Sequence, residues 1–324
     1  MPRILVTENI AGKAMDELRA GGDVAFEPEL WRDPAALAEA LREAEAVIVR
    51  NQTRVTAELI AGAPKLKIVA RAGAGLDNID TAAASEAGIV VSFAPSENSL
   101  SVAELALGLM ISLARKISAA DRDTRAGGWK RAVFTGGELS GKTLGVVGIG
   151  RIGTLVARRA RAFGMRIVAH DEFVDPEAPH LRELGARLVT LDELAAESDF
   201  ITTHVPLTEE TRHLFGAKFF AAMKPGAFFV NTSRGEVVDE AALAAALESG
   251  HLGGAALDVR EVEPPAADSP LGRFDNVILT PHIAAFTDEA QERVVAAVCR
   301  DAVSVLRGEP AAGFFNFPEP RGRG

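Results

Sequence analysis

Leu144-Gly145-Val146-Val147-Gly148-Ile149-Gly150-Arg151-Ile152-Gly153 is the stretch whose reading decides the fold. An apolar run breaks at glycines and passes into a helical pattern, giving G-x-G-x-x-G between a strand and a helix. Gly148 permits a tight turn, Gly150 lets backbone approach a pyrophosphate, and Gly153 lets helix and strand pack closely. The helix N-terminus, with Arg151 and Ile152, then offers unpaired N–H groups and a positive dipole end to phosphates. Glycines in tight turns are common, so the context decides. Residues 165–169 read as the next strand, ending at His170-Asp171. Asp171 stands roughly 20 residues past the turn, where a carboxylate accepts hydrogen bonds from adenosine ribose hydroxyls. Its charge would repel a 2′-phosphate, which favours NAD over NADP. A bare strand–turn–helix with a surface Asp is the alternative, and it leaves this placement unaccounted for.

Outward from that turn, short apolar runs alternate with helical patterns. Strands are predicted over 4–6, 47–49, 68–70 and 89–91, with helices over 11–20, 34–44 and 56–61. The second half repeats the rhythm, with strands over 143–147, 166–169, 187–189, 200–202, 227–230, 254–257 and 277–279. Helices fall at 152–163, 191–197, 218–223 and 240–249. Apolar strands alternating with helices imply an α/β fold of parallel sheets covered on both faces. Residues 99–126 read as one long helix, apolar on several faces, and therefore either an internal core helix or one shared with a dimer interface. A last helix over 287–307 can return to the first sheet. The tail 308–324, rich in Gly, Pro and Arg, is expected to be partly loose.

A length of 324 residues suits two domains. The net charge of −10 argues against nucleic acid or an anionic membrane as the main partner, so an anionic substrate needs a local basic cluster. The single cysteine, Cys299, cannot form an internal disulfide and sits among Val294, Val295 and Val298, which reads as core. The start, Met1-Pro2-Arg3-Ile4-Leu5-Val6, leads straight into a strand, and no apolar run reaches about 18 residues. The expectation is a cytoplasmic protein with no membrane span. No His/Cys cluster has metal-ligand spacing, so no metal is expected.

Three more strand ends carry polar residues. Arg234 follows the run 227–230, Glu263 lies past 254–257, and His282 lies past 277–279. In open α/β sheets ligands bind beyond the carboxyl ends of the strands, so the three can converge. Reduction of a ketone by hydride needs a proton for the nascent alkoxide, which His282 can give and, in oxidation, take back. A carboxylate on the other ring nitrogen would fix the tautomer, and Glu263 suits that role. The planar fork of Arg234 suits a substrate carboxylate. Each of these residues alone is more often structural, and their joint placement makes the case. His204 also ends a strand and can line the cofactor cleft, while His180, His213 and His251 read as surface residues.

With these segments in view, the chain resembles the D-isomer-specific 2-hydroxyacid dehydrogenases over nearly its whole length. The resemblance is carried by Gly148–Gly153, by Asn231-Thr232-Ser233-Arg234-Gly235-Glu236-Val237-Val238-Asp239-Glu240, by Gly254-Ala255-Ala256-Leu257-Asp258-Val259 with Glu263-Pro264, and by Thr280-Pro281-His282-Ile283. It implies two Rossmann-like or flavodoxin-like parallel-sheet domains. A central NAD-binding Rossmann domain, 99–285, would be inserted in a discontinuous substrate domain, 1–98 plus 286–324. It also implies an Arg234/Glu263/His282 catalytic set, a small 2-hydroxy or 2-oxo acid as partner, and a homodimer through the 99–126 helix.

Further stretches resemble the branch of that family acting on 3-phosphoglycerate and 3-phosphohydroxypyruvate. They are Val49–Thr56, Arg71–Asn78, Asn98–Leu105 and Glu138–Gly145. That likeness implies Arg50, Arg71, Ala72, Gly73 and Asn98 toward the substrate. Toward the cofactor it implies Arg151, Ile152, Asp171, His204, Val205, Pro206, Thr232, Ser233, Asp258 and Ala284, with Arg234 beside them. The chain departs from the branch at Ala74, at Asn51-Gln52 and at Phe286, and as it ends at Gly324 it is expected to lack C-terminal regulatory domains. Glyoxylate, hydroxypyruvate, lactate-type acids and sulfolactate therefore stay open as substrates. A reading from another class is an NAD-binding corepressor-like scaffold on the same fold.

Overall fold

The computed structural model describes residues 3–321. The chain divides into two compact units, Met1–Asn98 with Ala285–Gly324, and Ser99–Ala284.

The first unit opens with β1 (Ile4–Val6), α1 (Lys13–Ala20), β2 (Val24–Phe26), α2 (Pro34–Leu41), β3 (Ala46–Val49), α3 (Ala57–Ala61), β4 (Ile68–Arg71), α4 (Thr81–Glu86) and β5 (Val90–Phe93). Its sheet is all parallel, in the order β2-β1-β3-β4-β5. That is the flavodoxin-like winding, whose strand order reverses between β1 and β3.

The second unit contains α5 (Ser99–Arg115), α6 (Ile117–Arg125), β6 (Thr143–Val147), α7 (Arg151–Ala162), β7 (Arg166–His170), α8 (Pro179–Leu184), β8 (Arg187–Leu188), α9 (Leu191–Glu197) and β9 (Phe200–Thr203). It continues through α10 (Ala217–Ala222), β10 (Phe228–Asn231), α11 (Glu240–Glu248), β11 (Gly254–Leu257) and β12 (Val277–Leu279). The seven strands run in the order β12-β11-β10-β9-β6-β7-β8, all parallel. This is the Rossmann order with one strand added, and its reversal lies between β6 and β9. One apolar layer joins α5 and α7 to the sheet through Leu107, Met110, Leu144, Val146 and Val156. The other joins α9, α10 and α11 through Leu194, Phe215, Phe219, Phe229 and Leu243.

The chain then returns to the first unit as α12 (Asp288–Leu306), capped by Thr287, whose hydroxyl accepts from the Ala290 N–H at 3.2 Å. Val294, Val295, Val298, Cys299 and Ala302 pack on Ile4, Val6, Ile48, Ile68 and Ala70. Leu5, Val47, Val49, Val69 and Val91 face the opposite layer with Leu37, Leu41 and Ile60.

Three features differ from the sequence reading. The stretch 99–126 is two helices, because Lys116 takes a left-handed φ of 54°. The carbonyl of Ala114 accepts from the Gly137 N–H at 2.8 Å, so the returning chain occupies the acceptor a continued helix would need. The tail is anchored through residue 321: Asp301, 1% exposed, accepts from Ser92 Oγ at 2.7 Å and from the Ala312 and Gly313 N–H groups. Phe315 N–H adds a bond to the Val91 carbonyl. Finally β2, α4 and α8 were not foreseen, being short and without a clear apolar period.

Candidate active site

The glycine turn sits where the second sheet reverses its strand order. Gly148 has φ +87°, and a Cβ there would stand 3.0 Å from the His204 backbone carbon. Gly153 lies so close under the turn that a Cβ would meet the Gly148 carbonyl oxygen at 2.1 Å. Gly150 has open space on its Cβ side, as a backbone approached by a phosphate requires. Arg151 is exposed and Ile152 half-buried at the start of α7. Asp171 ties into the turn, its carboxylate accepting from the Ile149 N–H at 3.0 Å and from the Phe173 N–H at 2.9 Å.

At the ends of the neighbouring strands β9 and β10 lie three buried polar atoms without a hydrogen-bond partner among the described residues: Thr203 Oγ1, His204 Nδ1 and Thr232 Oγ1. A buried polar atom left unpaired costs about 1–3 kcal/mol, so such a cluster at a strand-end crevice suits a polar ligand edge. Burial holds the His204 pKa down at about 3, so its ring is neutral, with Nε2 3.1 Å from Thr202 Oγ1. Val205 is half-buried and packs over Gly148, and Pro206 is exposed beside it.

The Arg234 loop is built by Asn231, fully buried. Its Oδ1 accepts from the Ser233 N–H and hydroxyl, and its Nδ2 donates to the Arg234 carbonyl at 2.8 Å. Arg234 Nη1 donates to the Ser233 carbonyl at 2.8 Å. Gly235 lies flush on the next loop, since a Cβ there would be 1.8 Å from the Arg260 carbonyl oxygen. Arg260, itself 7% exposed, is clamped by Glu240 at 2.7 and 2.8 Å.

Glu263 is thereby set between two donors. Oε1 accepts from the Arg260 N–H at 2.9 Å, and Oε2 faces His282 Nδ1 at 2.8 Å. Burial pushes the Glu263 carboxyl up, but the bonds from His282 and Arg260 and the charge of Arg234 outweigh it and hold the pKa below the usual value. His282 carries a left-handed φ of 56°, which costs a residue with a Cβ about 1 kcal/mol or more. Asp258, 1% exposed, holds it there: its carbonyl accepts from the His282 N–H at 2.7 Å. Its carboxylate accepts from the Thr280 hydroxyl and the Ile283 and Ala284 N–H groups at 2.6–2.9 Å. The second unit thus brings Arg234, Glu263 and His282 together, whereas Asp258, Ser233 and Ala284 spend these polar atoms on building the loops.

In the first unit, Arg50 follows β3 and Arg71 ends β4. Gly73 is a glycine because the Arg71 guanidinium crosses it, at 1.7 Å from where a Cβ would be. Ala72 N–H donates to the Val49 carbonyl at 2.7 Å, and Asn98 is buried at the last position before α5. Sequence reasoning missed Glu8 and Gln291, both of which contact Arg50.

A family model described as "D-isomer specific 2-hydroxyacid dehydrogenase, NAD binding domain" matches residues 107–284. The chain belongs to the D-isomer-specific 2-hydroxyacid dehydrogenases. The matched segment is this family's NAD-binding domain, and the glycine turn and the unpartnered polar cluster fit that cofactor. A relative named D-3-phosphoglycerate dehydrogenase, from Archaeoglobus fulgidus, is 47% identical over 98% of this chain. The chain spans 59% of that relative's length. Among solved structures, the TT0316 protein from Thermus thermophilus superposes with a TM-score of 0.90 at 37% identity, covering 96% of this dehydrogenase-family chain and 99% of its own. A glyoxylate reductase from Paecilomyes thermophila gives 0.86 at 34% identity, covering 97% and 98%.

Proposed function

We propose that this chain interconverts a small D-2-hydroxy acid and its 2-oxo acid by NAD-dependent hydride transfer, with 3-phosphoglycerate and 3-phosphohydroxypyruvate as the preferred pair. The observation that carries the reading is the Glu263–His282 contact at 2.8 Å beside the charge of Arg234. NADH held at the glycine turn of Gly148, Gly150 and Gly153 would supply a hydride for the substrate's carbonyl carbon. The alkoxide then takes a proton from His282 Nε2, the ring atom not turned to Glu263. Glu263, ionised, accepts from Nδ1–H, which fixes the tautomer and turns Nε2 toward the substrate. Arg234 receives the substrate carboxylate and draws electron density from the adjacent carbonyl. In oxidation the same ring takes the proton back.

Arg50, Arg71, Ala72, Gly73 and Asn98 of the first unit are assigned to substrate. With the carboxylate taken by Arg234, two further guanidiniums suit a second, doubly charged anionic group, which supports a phosphorylated acid on a protein of net charge −10. The 47% identity to D-3-phosphoglycerate dehydrogenase points the same way. A glyoxylate or hydroxypyruvate reductase is the second reading, favoured by the likeness to the glyoxylate reductase. Following NADH oxidation with phosphohydroxypyruvate, hydroxypyruvate, glyoxylate, pyruvate and sulfopyruvate tests both. A kcat/KM highest for phosphohydroxypyruvate is expected. Preference for glyoxylate selects the second reading, and inertness toward all five removes the activity. A homodimer in a cytoplasmic setting completes the proposal.

A further inference from the structure

Arg50 is gripped at both ends. It lies where the first sheet reverses its strand order, the crevice in which such sheets take ligands. Its backbone N–H donates to Glu8 Oε1 at 2.7 Å, and Glu8, 2% exposed, also accepts from the Gln52 and Thr53 N–H groups at 3.1 and 2.9 Å. At the far end, Nη2 donates to Gln291 Oε1 at 2.5 Å, and the guanidinium carbon sits 4.5 Å from the centre of the Phe286 ring. Gln291 cannot turn its amide over without losing two bonds, because its Nε2 donates to the Ala285 carbonyl at 2.9 Å. It stands in the first turn of α12, its N–H bonded to the Thr287 carbonyl at 2.9 Å, so its backbone is fixed as well.

We propose that Gln291 is a positioning residue for Arg50 and that Phe286 is the platform fixing the plane of its guanidinium, so that Arg50 presents one orientation to an anionic group of the substrate. This rests on the activity proposed above. The guanidinium carries five N–H donors, and among the described residues Gln291 takes one of them. An arginine side chain is rich in rotamers, and holding it beforehand removes that entropy loss from the binding step. An amide oxygen orients the positive charge without cancelling it, as a carboxylate at 291 would. An aromatic face supports the group without consuming a donor. Burial lowers the guanidinium pKa and Glu8 counters it, so the charge is held in a partly dry setting where its orientation counts.

The test is steady-state kinetics of the full chain with NADH and phosphohydroxypyruvate, or the acid of the panel that it turns over fastest. Gln291→Leu is expected to raise KM about tenfold, the worth of one hydrogen bond to a charged group, with kcat within about twofold and NADH affinity unchanged. Gln291→Glu should raise KM at least as far. Phe286→Leu, at a site 54% exposed and so tolerant of change, should raise it about threefold and serves if the Gln291 variants fail to fold. In an Arg50→Ala background, Gln291→Leu should move KM by less than about twofold, since nothing remains to orient. An unmoved KM in Gln291→Leu and Phe286→Leu, or a full effect persisting without Arg50, overturns the inference while leaving the activity standing. A parent inert toward every acid removes the activity and this inference with it.

Discussion

Glu263 faces two donors, and that fixes its ionisation. The contacts with His282 and the Arg260 N–H, with Arg234 nearby, outweigh burial and keep its pKa below the ordinary carboxylate value. A depressed pKa means the charge is present above that ordinary value and is lost only as pH falls through the lowered one. At neutral pH the carboxylate is therefore available as the acceptor that orients the His282 ring. His282→Ala is expected to cut kcat by about two to four orders of magnitude with NADH affinity retained. Glu263→Gln keeps the shape and drops the charged acceptor of the ring, so kcat for 2-oxo acid reduction should fall by about tenfold. Full turnover in His282→Ala, or in Glu263→Gln, would remove the proton-transfer roles. Arg234, Glu263 and His282 were legible because each follows an apolar strand run. Glu8 and Gln291 were not: a lone Glu after a short strand and a Gln in a helix's first turn have no local spacing signal, and only the folded crevice brings them to Arg50.

Glycines and the alternation of apolar runs with helical patterns made most elements readable, since Gly148, Gly150 and Gly153 name a turn whose chemistry admits little else. The α5–α6 break was not readable, because Lys116 carries no helix-stopping chemistry and the stop comes from Gly137 pairing with Ala114 far along the chain. The break also redirects the dimer argument. Ala106, Leu107, Leu109, Met110 and Leu113 of α5 go into the core of their own unit. A group of exposed apolar side chains lies instead on α6 and just beyond, where Ile117 is 50%, Val133 60% and Trp129 77% exposed. Exposed apolar side chains gathered in one stretch are a recognised mark of an interface. Light scattering should give twice the chain mass at micromolar concentration, and Trp129→Glu with Val133→Glu should weaken the dimer more than about tenfold, because a charge in an apolar interface is left unpaired. A parent that runs as a monomer sinks the proposal.

Two parallel sheets could be anticipated because strands and helices alternate throughout, but what holds the first sheet at its amino edge was hidden in charges spread along the chain. Arg3 precedes β1, Glu45 precedes β3 and Lys67 precedes β4, three strands that lie side by side. The Glu45 carboxylate accepts from Arg3 Nε and Lys67 Nζ, both at 2.6 Å, while the Glu45 and Lys67 N–H groups bond to the Arg3 and Glu45 carbonyls. The bond from Arg3, then that from Lys67, hold the Glu45 pKa down at about 2 against an ordinary 4.5. The carboxylate is 22% exposed, so solvent screens the staple and its worth is about 1 kcal/mol. Because the folded pKa is the lower one, the stabilisation is complete above pH 4.5 and disappears as pH falls toward 2. Glu45→Gln should therefore be less stable than the parent by about 1 kcal/mol in urea at neutral pH. That deficit should shrink steadily below pH 4.5, while a core substitution such as Val298→Ala keeps its deficit over the same range. A Glu45→Gln deficit equally large near pH 3 would mean that the strand ends are joined by their backbone pairing alone, with no part played by the charges.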